Sequence, residues 1–90
     1  MRELIHFSAT WCHPCKQMQP IIDKFLKDNP DIVYTKYDAD ENVSVFQEHG
    51  IRGVPAFIGK VDDKEIFHKG TATEARLVSL FAWQMPIPTL

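Results

Sequence analysis

Glu3-Leu4-Ile5-His6-Phe7-Ser8-Ala9-Thr10-Trp11-Cys12-His13-Pro14-Cys15-Lys16 is the stretch that decides the fold: a mostly apolar run ends at Ser8, two cysteines follow, and a helical pattern begins. Glu3 to Phe7 reads as a short buried strand interrupted by His6. Pro14 fixes φ near the helical value and lacks an N–H that would go unpaired in a first turn anyway, so the helix is predicted to open there. Cys12 then stands at the helix mouth and Cys15 just inside it. Unpaired amides and the positive end of the helix dipole point at Cys12 and favour its thiolate, which predicts Cys12 as the nucleophile of the pair. A thiol of pKa about 8.5 is only roughly 3% thiolate at pH 7, whereas one lowered to about 7 is roughly half ionised.

These are the only cysteines in the chain. A tetrahedral zinc site needs four ligands, and His6, His13, His49 and His68 are scattered without ligand spacing. Copper carriage has no better support, since the one nearby methionine, Met18, falls inside the predicted helix. An inert disulfide closing so small a loop removes little chain entropy and would be a weak staple. Reversible dithiol chemistry, needing neither metal nor bound cofactor, accounts for the pair best.

Outward from the cysteines, Met18, Ile21, Ile22, Phe25 and Leu26 recur at spacings of three and four, predicting a helix from Pro14 to about Lys27 with a kink at Pro20. Asn29-Pro30 ends it. Ile32 to Tyr37 reads as a second strand, and Asp40 is predicted to cap a short helix through Val43 and Phe46 that stops at Gly50. Ala56 to Val61 and Glu65 to Lys69 form a predicted hairpin around Asp62-Asp63-Lys64. Thr71-Ala72-Thr73-Glu74 has the composition of a capping box and opens a last helix, with Leu77, Val78, Leu80 and Phe81 inward and an end near Trp83 or Gln84. Met85 to Leu90, with Pro86 and Pro88, reads as a tail that frays or lies over apolar surface. The expected organisation is one domain over residues 1–90.

Ninety residues, 44% hydrophobic and 24% charged, fit one globular domain near the lower size limit for an adequate core. A net charge of −2 without a basic run argues against nucleic acid or an anionic membrane surface as partner. Leu4 to Phe7 is too short for a signal segment or a membrane span. The chain therefore reads as complete and untargeted, and its cysteine usage as suited to the reducing cytoplasm.

Several spaced motifs resemble the thioredoxin family across nearly the whole chain. Phe7 to Lys16 is similar to the family's F-x-A-x-W-C-G-P-C-K run, and Pro20 matches the proline in its active-site helix. Lys36-Tyr37-Asp38-Ala39-Asp40 resembles a K-x-D-x-D strand end, Gly50-Ile51-Arg52-Gly53-Val54-Pro55 the loop before a cis proline, and Gly70 the glycine before the last helix. The resemblance implies an α/β thioredoxin-like fold of minimal βαβαββα order, a mixed four-stranded sheet with helices on both faces. It further implies reduction of protein disulfides through a mixed disulfide, with thioredoxin reductase as electron donor. Pro55 is expected cis, facing the cysteines. Val54 would pair with an extended substrate, and Trp11, His13, Pro14, Gly53 and Gly70 would complete the docking surface, unless Trp11 is simply core. Lys36 would reach toward the group buried beneath the cysteines. The other readings are a glutaredoxin re-reduced by glutathione and a protein-binding subunit in which redox chemistry is secondary.

Three departures from the family pattern carry expectations of their own. The sequence starts at the cysteine-bearing strand, which predicts a glutaredoxin-sized core with one sheet edge and one face less covered; the C-terminal tail is a candidate cover, a monomer the expected state and a dimer the alternative. His6 replaces the buried acid six residues before the nucleophile, and is expected to be neutral and to accept the Cys15 proton, with a passive core histidine as the bland reading. His13 replaces the glycine between the cysteines, where a ring N–H reaching the Cys12 thiolate would stabilise the reduced form.

Overall fold

A computed structural model describes residues 1–81 of the chain. Its elements run β1 (Arg2–Ser8), α1 (His13–Asp28), β2 (Val33–Asp38), α2 (Val43–Glu48), β3 (Ala56–Val61), β4 (Lys64–Lys69) and α3 (Glu74–Ser79). The four strands form one mixed sheet in the order β2-β1-β3-β4. β1 lies parallel to β2, with His6 opposite Lys36 and Ser8 opposite Asp38, and antiparallel to β3, with His6 opposite Phe57. β3 and β4 form the predicted hairpin.

Strand alternation explains why β1 reads as nearly continuous apolar sequence. Leu4 faces one side with Met18, Ile22 and Phe25 of α1 and Leu77, Leu80 and Phe81 at α3. Ile5 and Phe7 face the other with Phe46 of α2, Ile51 and Ile58. A strand covered on both faces needs apolar residues at both parities. Helices therefore lie on both faces of the sheet, as expected.

Local chemistry departs from the sequence reading at several places. Asn42, not Asp40, precedes α2 as its cap, and it makes no side-chain cap bond. The nearby carboxylate that does bind amides is Asp38, whose Oδ1 accepts from Asp40 and Glu41 at 2.9 and 3.3 Å in the turn before α2. In the hairpin, Lys64 belongs to β4 opposite Val61, leaving Asp62, at φ 53°, and Asp63 for the turn; a short polar side chain tolerates that left-handed conformation. Thr73 rather than Thr71 caps α3, accepting from the Arg76 amide at 3.1 Å. Val78 points outward, because it sits about 100° around the helix from Leu77 while Leu80 and Phe81 stay within the buried stripe. α3 ends at Ser79 with Leu80 as its cap, earlier than the expected end near Trp83 or Gln84; the expected tail from Met85 lies outside the described residues.

α1 runs from His13 to Asp28 through Pro20 and buries Met18, Ile22 and Phe25. Met18 also ties α1 to the α3 entry, its sulfur accepting from the Ala72 amide at 3.3 Å. On the same face, Gly59 of β3 lets the end of α3 come close: a Cβ there would lie 2.7 Å from Leu80 Cβ and 3.0 Å from its carbonyl oxygen. Both neighbours are held by the sheet and the core, so Gly59→Ala is expected to destabilise the fold by about 1–3 kcal/mol through overpacking. A urea titration read by circular dichroism checks this, and an unchanged midpoint would mean that α3 can shift without cost.

Candidate active site

The site is built where β1 hands over to α1. Cys12 is the N-cap of the helix, with extended backbone (φ −89°, ψ 104°), and its sulfur turns back to accept the Cys15 amide at 3.2 Å. That amide sits third in the helix, where a serine or asparagine cap would normally place its oxygen. The Cys12 carbonyl accepts from Lys16 at 3.3 Å, and the Cys12 amide donates to the Ala9 carbonyl at 3.1 Å. The sulfur of Cys12 is thus the capping acceptor of α1. Cys12 and Cys15 are joined as a disulfide with Cα atoms 5.3 Å apart, and both are buried.

Opposite the disulfide lies the loop that enters β3. The Val54–Pro55 peptide bond is cis, and Val54 packs against the cluster of Ala9, Cys12 and Cys15. Gly70, at φ +93°, donates its amide to the Pro55 carbonyl at 2.9 Å and so ties the end of β4 to this loop. Trp11 is 67% exposed, which removes the reading that it is a core residue. His13, Pro14 and Gly53 are exposed as well. The structure brings the cysteines, Val54, Pro55 and Gly70 together and leaves Trp11, His13, Pro14 and Gly53 facing solvent.

A polar seam runs beneath, between α1 and the paired strands β1 and β2. His6 is fully buried, stacked on Phe57 with ring centroids 4.6 Å apart, and its Nδ1 is hydrogen-bonded to the Tyr34 hydroxyl at 2.9 Å. Its Nε2 is buried without a partner among the described residues. Burial, and then the charge of Lys36, push the His6 pKa down to about 4. The ring is therefore neutral near pH 7, as expected from its sequence context. Lys36 does not pair with a buried acid but donates to Gln19 Oε1 at 3.1 Å. Lys36, Gln19, Lys16, Asp38 and Cys15 all line one cavity of about 420 Å³. The cavity gives a polar approach to Cys15 from the side away from the cis proline loop.

His13 is turned along the helix in this disulfide form: its Nε2 accepts from Gln17 Nε2 at 3.3 Å, whereas the hydrogen bond to the Cys12 sulfur comes from a backbone amide. Three supporting residues were not singled out in the sequence. Asp38 braces the loop before the cysteines, its Oδ2 accepting the Thr10 amide at 3.1 Å while Oδ1 holds the turn into α2. Its signal was an aspartate at the end of a strand followed by a polar turn, the setting of an Asx turn. Tyr34 and Gln19 meet His6 and Lys36 only across elements, and no local pattern announces such contacts.

The thioredoxin family profile matches residues 2–82. The chain belongs to the thioredoxin family. It is 36% identical over 81 residues to mitochondrial thioredoxin-3 of Saccharomyces cerevisiae, covering 86% of this chain and 64% of that protein. To a thioredoxin of Echinococcus granulosus it is 35% identical over 74 residues, covering 82% and 69%. The chain thus spans about two thirds of the length of these relatives. The crystal structure of oxidised yeast mitochondrial thioredoxin 3 superposes with a TM-score of 0.81 at 32% identity, covering 89% of this chain and 76% of that one. Fasciola hepatica thioredoxin gives 0.81 at 26%, covering 93% and 81%.

Burial holds the folded His6 value below the 6.5 of a free ring, so the unfolded chain takes up this proton first. The contribution is fully present near pH 7 and is lost as pH falls from about 6.5 toward 4. His6 alone is expected to remove about 2 kcal/mol of stability by pH 5 and about 3 kcal/mol by pH 4. Urea titrations at pH 7, 5 and 4 on the wild type and on His6→Leu check this: the acid-induced loss should shrink in the variant by these amounts.

Proposed function

We propose that this chain is a thiol-disulfide oxidoreductase that reduces disulfides in protein substrates. The observation that carries the reading is the capping of α1 by the Cys12 sulfur, directly across from the Val54–Pro55 loop. A sulfur held against a helix amide and the positive helix end is stabilised as a thiolate once the disulfide opens. Cys15 receives no such bond. Cys12 is accordingly the attacking sulfur and Cys15 the resolving one.

The reduced protein starts the cycle. Cys12 thiolate attacks one sulfur of the substrate disulfide, the substrate S–S bond breaks, and the displaced substrate thiolate takes a proton from solvent. The substrate stays linked to Cys12 as a mixed disulfide while its extended backbone lies along Val54, with Trp11, His13, Pro14, Gly53 and Gly70 around it. Cys15 then loses its proton, attacks the Cys12 sulfur and releases the second substrate thiol. Two electrons and two protons have passed from the dithiol to the substrate, and the Cys12–Cys15 disulfide remains. Re-reduction falls to a flavoprotein thioredoxin reductase; Trp11 before the first cysteine and Ile51-Arg52-Gly53 before the proline favour it over glutathione. The cytoplasm, a reducing compartment, is the proposed location, and a monomer the proposed state.

His6 and Lys36 act as positioning groups on the Cys15 side, since neither is in bonding contact with a sulfur. Lys36 holds Gln19 at the cavity wall, and its charge adds to the burial that keeps His6 neutral. A neutral imidazole can receive the Cys15 proton only transiently when its pKa is about 4, and the adjoining cavity offers water as the next carrier. An unchanged resolving rate across pH 6 to 8 in His6→Leu would remove His6 from the mechanism.

Cys15→Ser is expected to accumulate a mixed disulfide through Cys12 that mass spectrometry detects after incubation with an oxidised protein substrate. Cys12→Ser should form none and lose turnover at least about a thousandfold, the scale on which loss of a covalent nucleophile is felt. Adduct formation on Cys15 in Cys12→Ser, at a rate like that of the reverse variant, would overturn the assignment. Turnover with thioredoxin reductase beside turnover with glutathione separates the two reductants.

A further inference from the structure

A second cleft, of about 240 Å³, adjoins the cis proline loop on the side away from the polar seam. It is lined by the loop Gly50 to Gly53 and by Phe67 and Lys69 of β4. β4 is an edge of the sheet, and Lys69 stands opposite Ala56, the residue after Pro55. The cleft is therefore continuous with the surface along which the substrate is read above. It falls below the roughly 300–1,000 Å³ of sites for small molecules, and suits one or two side chains of a peptide.

Its chemistry is unbalanced in two respects. Phe67 is 52% exposed although it lies on the sheet face that carries the Phe7 and Phe46 core. Arg52 and Lys69 flank it, and neither is in an ion pair among the described residues. Among the described residues, no acidic side chain lines the cleft. A lone exposed aromatic is ordinary, but one set between two uncompensated cations at the rim of a docking surface has a complement of definite kind.

We propose that this cleft is a specificity subsite for protein substrates whose reactive disulfide is followed, within a few residues, by an apolar side chain next to an acidic one. The apolar group covers Phe67, the carboxylate is drawn by Arg52 and Lys69, and the backbone between them continues from Val54 along the β4 edge. The inference rests on the disulfide-reductase reading. It adds which substrates that surface prefers.

The test uses the pre-reduced full chain in single turnover, so that no reductase enters. Two disulfide peptides are compared, one carrying Leu-Glu after the reactive cysteine and one carrying Ser-Lys, with neutral hydroxyethyl disulfide as a probe of the chemistry alone. The Leu-Glu peptide is expected to react about tenfold faster at low salt, the advantage narrowing as salt screens the two cations. Phe67→Ser combined with Lys69→Glu should remove or invert that preference while hydroxyethyl disulfide is reduced at the wild-type rate. Equal rates for the two peptides in the wild type, or a preference that survives in the double variant, would overturn the subsite and leave the reductase reading intact. If hydroxyethyl disulfide and both peptides go unreduced, the reductase reading falls and the subsite with it.

Discussion

Burial of β1 on both faces is the constraint on which the rest of the molecule depends. A central strand gives up water on two sides at once, so each of Leu4, Ile5 and Phe7 must be met by its own set of partners. At about 1.5–3 kcal/mol for each large apolar side chain removed from water, these contacts leave little room for a shift in register. A slip of one residue would exchange the two faces and set every partner wrong. With β1 fixed, the position of Ser8 is fixed, and the few residues after it must turn into a helix whose first cap is a cysteine. The placement of the disulfide follows from the core and not from the sulfur chemistry.

The same strand carries a costly residue in the core. His6 sits between Leu4 and Ser8 on the α1 face, where a charge would have to be stripped of water. The fold meets this by keeping the ring neutral, stacking it on Phe57 and giving Nδ1 the Tyr34 hydroxyl. Nε2 remains without a partner among the described residues, which is an expensive state for a buried polar atom. Such a group is tolerated more easily near a working site than in a purely structural core, and Lys36, opposite His6 across the β1–β2 pairing, lines the cavity that reaches Cys15.

Much of this was legible in the sequence because it is local. The spacing of Met18, Ile22 and Phe25 marks a helix face whatever packs on it, Pro14 fixes a helix start, and Asp62-Asp63 marks a turn. The cap of α2 is harder to read for a reason that is also local: Asp38, Asp40 and Asn42 all have capping side chains, and only the end of β2 decides that Asp38 closes the turn while Asn42 precedes the helix. Val78 was placed inward because an apolar residue in a short helix gives too few turns to define its stripe.

The sequence by itself determined the order of elements, the cysteine pair at the first strand-to-helix junction and the family pattern, since each depends on residues a few positions apart. Only the tertiary structure decided that Cys12 caps the helix with its sulfur, that His6 is held by Tyr34 while Lys36 turns to Gln19, and that Phe67 opens a cleft beside Pro55. Those contacts join residues from different strands and helices. Their geometry is set by sheet register and helix packing, which short-range pattern does not encode.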